Sequence, residues 1–287
     1  MRLWPKTRKG QIRLIFWILF VAGLAIYVFG GFLERRLLFF PFKTLEGSPS
    51  DLALKFEDVT LKTSDGVTLH AWFVPHVKAR ATLILSHGNA GNISHRLGNL
   101  RLLHDKVKSN VFAVDYRGYG RSEGSPSEQG TYRDAEGALR HLRARQEIDP
   151  KNVVIFGQSL GAAVAAELAS RETCLALILE APFVSVREMA RVALPWLPIG
   201  PLIRTRYEVI ETIKAVKAPI LILHGDRDEV VPFDHGKRVF AAAPEPKEFY
   251  TIAGSHHNDT YVVGGDAYFA TLKNFIEKAA LGSTKTP

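Results

Sequence analysis

The sequence predicts an α/β protein built on a mostly parallel central sheet. Three observations carry this reading: short runs rich in Val, Ile and Leu recur along the chain, helical stretches fall between them, and a Ser64-Asp65-Gly66 turn opens the series. Continuous apolar runs mark strands buried on both faces, and their alternation with helices marks βα units. Taken in order, 59–63 and 67–74 flank the turn and pair as a hairpin, an antiparallel edge leading into the parallel part. Buried strands follow over 81–86, 111–115, 153–156, 175–179 and 220–223, with another short strand over 248–252, about eight in all. Helices fit at 127–146, 160–170, 234–242 and 266–280. The segment 184–217 breaks the rhythm, because Leu194-Pro195-Trp196-Leu197-Pro198-Ile199-Gly200-Pro201 is apolar yet too rich in Pro and Gly for a long regular element. It reads as a short cap insertion over the site.

With 287 residues, 46% of them apolar, the chain can bury one sizeable core beside an appendage. The formal charge of +8 invites a nucleic-acid partner, but its distribution argues against one. Eight bases and one acid, Glu34, lie through Lys43, leaving 29 bases against 28 acids in the remainder. The globular part is therefore almost neutral, and no nucleic acid is expected. A single cysteine, Cys174, excludes an internal disulfide and any multi-cysteine metal site; beside the apolar run Leu175 to Leu179 it reads as an inert core residue.

From Leu14 to Leu33 no residue is charged, and 20 residues at the helical rise span about 30 Å, the thickness of a bilayer's hydrocarbon core. The expectation is an N-terminal transmembrane helix over 14–33, acting as an uncleaved signal anchor. A cleaved signal peptide fits less well: the apolar run is long, and small-residue sites such as Gly23-Leu24-Ala25 lie inside it. Five bases precede the span and two follow closely, so the positive-inside rule puts 1–13 in the cytoplasm and the remainder across the membrane. A membrane-proximal linker over 34–55 and one catalytic domain over 56–287 complete the expected organisation.

Within that domain, Gly157-Gln158-Ser159-Leu160-Gly161 matches G-x-S-x-G, a pattern that chance alone produces readily. Its setting makes it informative. Val153-Val154-Ile155-Phe156 runs into Gly157, and Leu160-Gly161-Ala162-Ala163-Val164 continues as a small-residue helix, giving the strand-turn-helix that raises a serine hydroxyl above a sheet edge. Side chains at 157 and 161 would collide with the neighbouring strand and helix. A serine needs a base to take its proton, and the base needs a carboxylate to fix its tautomer. Two later loops offer these groups: His224-Gly225-Asp226-Arg227-Asp228 and Gly254-Ser255-His256-His257-Asn258-Asp259. Periodicity leaves the choice open between Asp226 and Asp228, and between His256 and His257.

These motifs, with His87-Gly88-Asn89-Ala90-Gly91-Asn92, Asp115-Tyr116-Arg117-Gly118-Tyr119-Gly120 and Glu180-Ala181-Pro182-Phe183, resemble the α/β-hydrolase-domain serine hydrolases, in particular a membrane-anchored branch with an H-G-N-A loop. The resemblance runs from about Phe56 to the C-terminus. It implies an α/β-hydrolase fold with helices on both faces of the sheet, Asp228 as acid and His257 as base. Glu180 is then structural, and His87, which precedes Ser159, braces its loop. Leu160, the residue after the nucleophile, is expected to give one backbone oxyanion donor. The resemblance places the second at Asn89.

The ten histidines include no H-E-x-x-H, and no phosphate-binding glycine-rich loop is present, so neither metal nor cofactor is expected. The chemistry expected is cleavage of an ester or thioester, with amides ranked lower, and the apolar insertion and the anchor favour lipid-like acyl substrates. Hydrolysis of small soluble esters is the rival. A non-catalytic membrane-anchored module is a second, and a missing acid or base would be its sign.

Overall fold

A computed structural model describes residues 7–197, 200 and 203–283; side chains at 19, 22, 24–29, 32 and 283 lie outside the described set. The chain divides into two units, Met1–Phe40 and Pro41–Pro287. The first is dominated by one helix, α1 (Arg8–Leu38), whose N-cap Thr7 accepts from the Gly10 N–H and whose last turn carries Arg35 and Arg36, complementing the helix dipole. The stretch expected to span a membrane, 14–33, lies inside α1. That expectation is not supported: among the described residues no helix is long and apolar enough to cross a membrane.

The second unit contains an eight-stranded sheet. Its strands are β1 (Glu57–Lys62), β2 (Thr68–Val74), β3 (Thr82–Ser86), β4 (Asn110–Val114), β5 (Val153–Gln158), β6 (Ala176–Glu180), β7 (Ile220–Gly225) and β8 (Lys247–Ile252). The order across the sheet is β8-β7-β6-β5-β3-β4-β2-β1. β1 and β2 pair antiparallel, as does β2 with β4, and every other neighbour is parallel. Strands β3 and β6 are buried at every position, which is why each carries an apolar run, Leu83 to Leu85 and Ala176 to Leu179. β1 alternates at its buried end, with Val59 and Leu61 inward, as an edge strand with one wet face should.

Helices cover both faces. α2 (Leu97–Leu102) and α8 (Thr260–Ser283) lie over one, around a core that includes Leu100, Leu103, Val154, Phe156, Leu223, Phe269 and Leu272. α3 (Glu128–Arg143), α4 (Leu160–Arg171), α6 (Val209–Thr212) and α7 (Phe233–Ala242) form a second packed group, which meets the sheet at β5, β6 and β7. α5 (Val186–Ala193) opens the 184–217 insertion, and Pro198, Ile199, Pro201 and Leu202 of the expected cap lie outside the described residues.

Two features depart from expectation. α2 was not anticipated, nor was the wide turn Leu103–Val107 after it. The terminal helix is longer than 266–280, because Gly265, at φ 50°, joins a short helical turn to it. Within the expected membrane-proximal linker, residues 41–55 fall in the second unit: the Asn92 side chain donates to the carbonyls of Phe42 and Thr44, and Leu45 and Leu54 pack on the core. Cys174 is half-buried, and burial pushes its thiol up to about 12, so the thiolate is scarce at neutral pH.

Candidate active site

Parallel strands in register bring their carboxyl ends to one edge. Across β3 and β5 Ser86 faces Gly157, across β5 and β6 Gln158 faces Glu180, and across β6 and β7 Glu180 faces Leu223. The loops that leave this edge carry every residue the sequence singled out for catalysis, as open parallel sheets require.

Ser159 stands between β5 and α4 at φ 53° and ψ −114°, a region non-glycine residues rarely occupy and one that costs on the order of 1–3 kcal/mol. Two hydrogen bonds hold it there: its N–H donates to the Glu180 carbonyl at 2.9 Å, and its carbonyl accepts from the Ala162 N–H at 2.9 Å. The glycines on either side are required by space. A Cβ on Gly157 would lie 2.0 Å from the Gly161 carbonyl oxygen, and one on Gly161 would lie 2.0 Å from that of Ser86.

His257 reaches this serine. Its Nε2 lies 3.1 Å from Ser159 Oγ, and its Nδ1 lies 2.7 Å from Asp228 Oδ2. Asp228 is engaged on both oxygens: Oδ1 accepts from the Val230 N–H at 2.9 Å and the Val231 N–H at 2.7 Å, while Oδ2 also faces His224 Nε2 at 3.3 Å. Burial works to raise the pKa of this carboxyl, but the His224 and His257 hydrogen bonds outweigh it and hold the group well below the usual carboxylate range. An ionised carboxylate only accepts, so His257 Nδ1 carries the proton and Nε2 is left to accept from the Ser159 hydroxyl.

The rivals are placed elsewhere. Asp226 is exposed and accepts from the Gly254 N–H at 2.7 Å, shaping the turn before the histidines. His256 is exposed and pairs with Glu229. His87 is buried, with Nδ1 2.7 Å from the Gly88 carbonyl, and its ring packs tilted against Tyr116 and edge-on against Tyr119. Asn89 follows it, and its Oδ1 accepts from the Tyr119 hydroxyl at 2.9 Å, which orients this loop. Leu160 opens α4, at the positive end of the helix.

Two neighbours complete the site, one of which, His224, escaped the sequence reading. His224, buried against Asp228, carried no role there; its only signal is its place at the end of the strand that leads to the acid. Glu180 is more than structural filler: its carboxyl accepts from Gln158 Nε2 at 2.8 Å, from Thr260 Oγ1 at 2.7 Å and from the Tyr268 hydroxyl. It therefore ties the residue before Ser159 to the helix that starts three residues after His257. Burial pushes its pKa up.

This sheet order, the strained serine and the three-loop cluster are those of the α/β hydrolases as a class. The chain belongs to the alpha/beta hydrolase family, whose model matches residues 83–246. It is 40% identical over 286 residues to the alpha/beta hydrolase domain-containing protein WAV2 of Arabidopsis thaliana, covering 91% of this chain and 92% of that one. It is also 34% identical to the protein bem46 of Schizosaccharomyces pombe, covering 89% and 91%. Among solved structures it resembles the Pyrococcus furiosus esterase Pf2001, with a TM-score of 0.70 at 19% identity over 84% of this chain and 98% of that one, a likeness of fold.

Proposed function

We propose that the chain is a serine hydrolase that cleaves carboxylic ester or thioester bonds through an acyl-enzyme, on lipid-like acyl substrates. The observation that carries this is the continuous chain from Ser159 Oγ through the His257 imidazole to Asp228, at 3.1 Å and 2.7 Å. In this reading Ser159 attacks the carbonyl carbon while His257 Nε2 takes its proton, and Asp228 stabilises the imidazolium that forms. The backbone N–H groups of Leu160 and Asn89 receive the developing oxyanion. His257 then protonates the leaving alcohol or thiol, and water repeats the sequence in reverse to release the acid. The H-G-N-A loop, His87 to Ala90, supplies the Asn89 donor in the same way as the resemblance implies. The lipid-like substrate is argued from the exposed apolar side chains of the insertion, Val192, Trp196 and Leu197. A fluorophosphonate probe labels the intact chain and not Ser159→Ala; equal labelling of the two, or none, overturns the assignment.

Anchoring belongs to the same proposal and is carried by the sequence alone, through the uncharged stretch 14–33 and the five bases before it. The catalytic unit is then on the side opposite a cytoplasmic N-terminus. Carbonate washing leaves the full chain in the membrane fraction, and protease added to the cytoplasmic side leaves the 56–287 domain intact. Extraction by carbonate, or digestion from that side, refutes this part.

A further inference from the structure

Buried charges in folded chains are normally paired, because an ion taken out of water loses solvation that an opposite charge or a ligand must restore. Arg117 obeys this rule: Asp134 holds its Nε, and Asp65 holds both terminal nitrogens. Arg96 does not. Its Nη2 donates to the Ala90 carbonyl at 2.8 Å, its Nε is shut off from solvent with no partner, and among the described residues no ion pair includes it. The acids whose fields reach it are Glu180, whose carboxyl is engaged on both oxygens, and Asp115, whose Oδ1 is engaged and whose Oδ2 faces His70. Glu180 accepts from Gln158, Thr260 and Tyr268, while Asp115 accepts from the Ile93 N–H and lies between His70 and His87. Burial accordingly pulls the Arg96 pKa below its ordinary value.

Its position gives the uncompensated charge a use. A Cβ built on Gly88 would lie 3.8 Å from Arg96 Nη2 and 3.7 Å from Gln158 Oε1. The guanidinium thus stands against the residue before Asn89 and beside the residue before Ser159. Arg96, Gln158 and Asn89 are each only partly buried, so this corner opens to solvent next to the nucleophile.

We propose that Arg96 anchors an anionic group, a phosphate or a carboxylate, that the acyl substrate carries close to its scissile carbonyl. The proposal rests on the serine hydrolase reading and narrows its substrate class to esters with a negative charge beside the cleaved bond. A planar guanidinium matches either oxyanion with paired donors, and a half-desolvated site strengthens the contact.

The test uses the full chain and three esters of one acyl group: an acyl glycerol, an acyl glycerol phosphate and an acyl glycerate. The charged esters show the higher kcat/KM, and the larger of the two distinguishes phosphate from carboxylate. Arg96→Gln lowers the charged-to-neutral ratio by roughly 30-fold, the scale of one charge-assisted contact, and Arg96→Lys recovers part of it. A ratio unchanged in Arg96→Gln, or a wild-type preference for the neutral ester, overturns the anchor. Fluorophosphonate labelling separates the two failures: a labelled chain without discrimination overturns the anchor alone, whereas an unlabelled wild-type chain overturns the hydrolase reading with it. If Arg96→Gln does not fold, inorganic phosphate decides as a competitor of the neutral ester. Competition that weakens in Arg96→Lys supports the anchor, and absence of competition in the wild-type chain overturns it.

Discussion

Replacing Asp228 with Asn lowers kcat by about four orders of magnitude, whereas Asp226→Asn changes it by no more than about twofold. The difference follows from what each carboxylate does. Asp228 Oδ2 faces His257 Nδ1 at 2.7 Å, and as an anion it forces the tautomer that leaves Nε2 open to Ser159. An amide in its place keeps the shape but can turn its NH2 toward Nδ1, which then accepts and puts the proton on Nε2, facing the serine. Asp226 shapes a turn through the Gly254 N–H, a bond the Oδ1 of Asn also accepts. The same substitution has a pH signature in stability. The folded state holds the Asp228 carboxyl below its ordinary range, so its contribution is fully present above about pH 4 and is lost as pH falls through the acid range. The gap in unfolding free energy between wild type and Asp228→Asn is therefore widest near neutrality and shrinks below pH 4. Steady-state kinetics on one ester and urea melts at pH 7 and pH 3 check both parts. A kcat within tenfold of wild type would remove Asp228 from the mechanism.

Much of this arrangement was legible in the sequence, for reasons that differ from element to element. Val153 to Phe156 and Leu175 to Leu179 could be read because a strand buried on both faces favours apolar residues along its length. Ser159 could be read because a tight strand-to-helix turn demands Gly157 and Gly161 around it, a constraint local enough to leave a five-residue trace. Choosing between Asp226 and Asp228, or between His256 and His257, is different. Neighbouring residues in a loop point in different directions, and which one faces the serine depends on bonds that a linear pattern does not show, such as the one Asp228 accepts from the Val231 N–H within its own loop and the one His256 makes to Glu229 in another. Family resemblance supplied that choice where periodicity could not. α2 was missed because Gly98 and Asn99 interrupt its leucines and it is only six residues long. The Glu180 cluster joins residues 158, 180, 260 and 268, and no local pattern links groups so far apart.

Glu180 and Arg96 also change what the site is made of. A serine, a base and an acid placed on three loops keep their geometry only if the loops are tied to one another. Glu180 binds the nucleophile turn to the start of α8, the Tyr119 hydroxyl holds Asn89, and Arg96 braces Ala90 within the same loop. These ties are hydrogen bonds, so they hold direction as well as distance, in a way apolar packing does not.

The second large effect falls on stability. Gly161→Val lowers the unfolding free energy by about 3 kcal/mol or more, a fall of roughly 6–12 °C in melting temperature for a unit of this size. The Cβ would meet the Ser86 carbonyl oxygen at 2.0 Å, its carbon at 2.6 Å and the His87 carbonyl oxygen at 2.7 Å. All three atoms are backbone, at the end of β3, so no side chain can swing aside and α4 itself must retreat from the sheet. That retreat carries the Leu160 N–H with it, so the folded fraction of the variant also loses kcat. Gly98→Ala is the contrasting case: at this exposed position of α2 an added Cβ finds the Tyr261 hydroxyl at an ordinary 3.5 Å, and helix propensity favours alanine by about 0.5–1 kcal/mol. Thermal melts of the two variants should thus move in opposite directions from wild type. A Gly161→Val chain that melts within about 2 °C of wild type would mean that α4 does not sit against the end of β3 as described, and the oxyanion role given to Leu160 would fall with it.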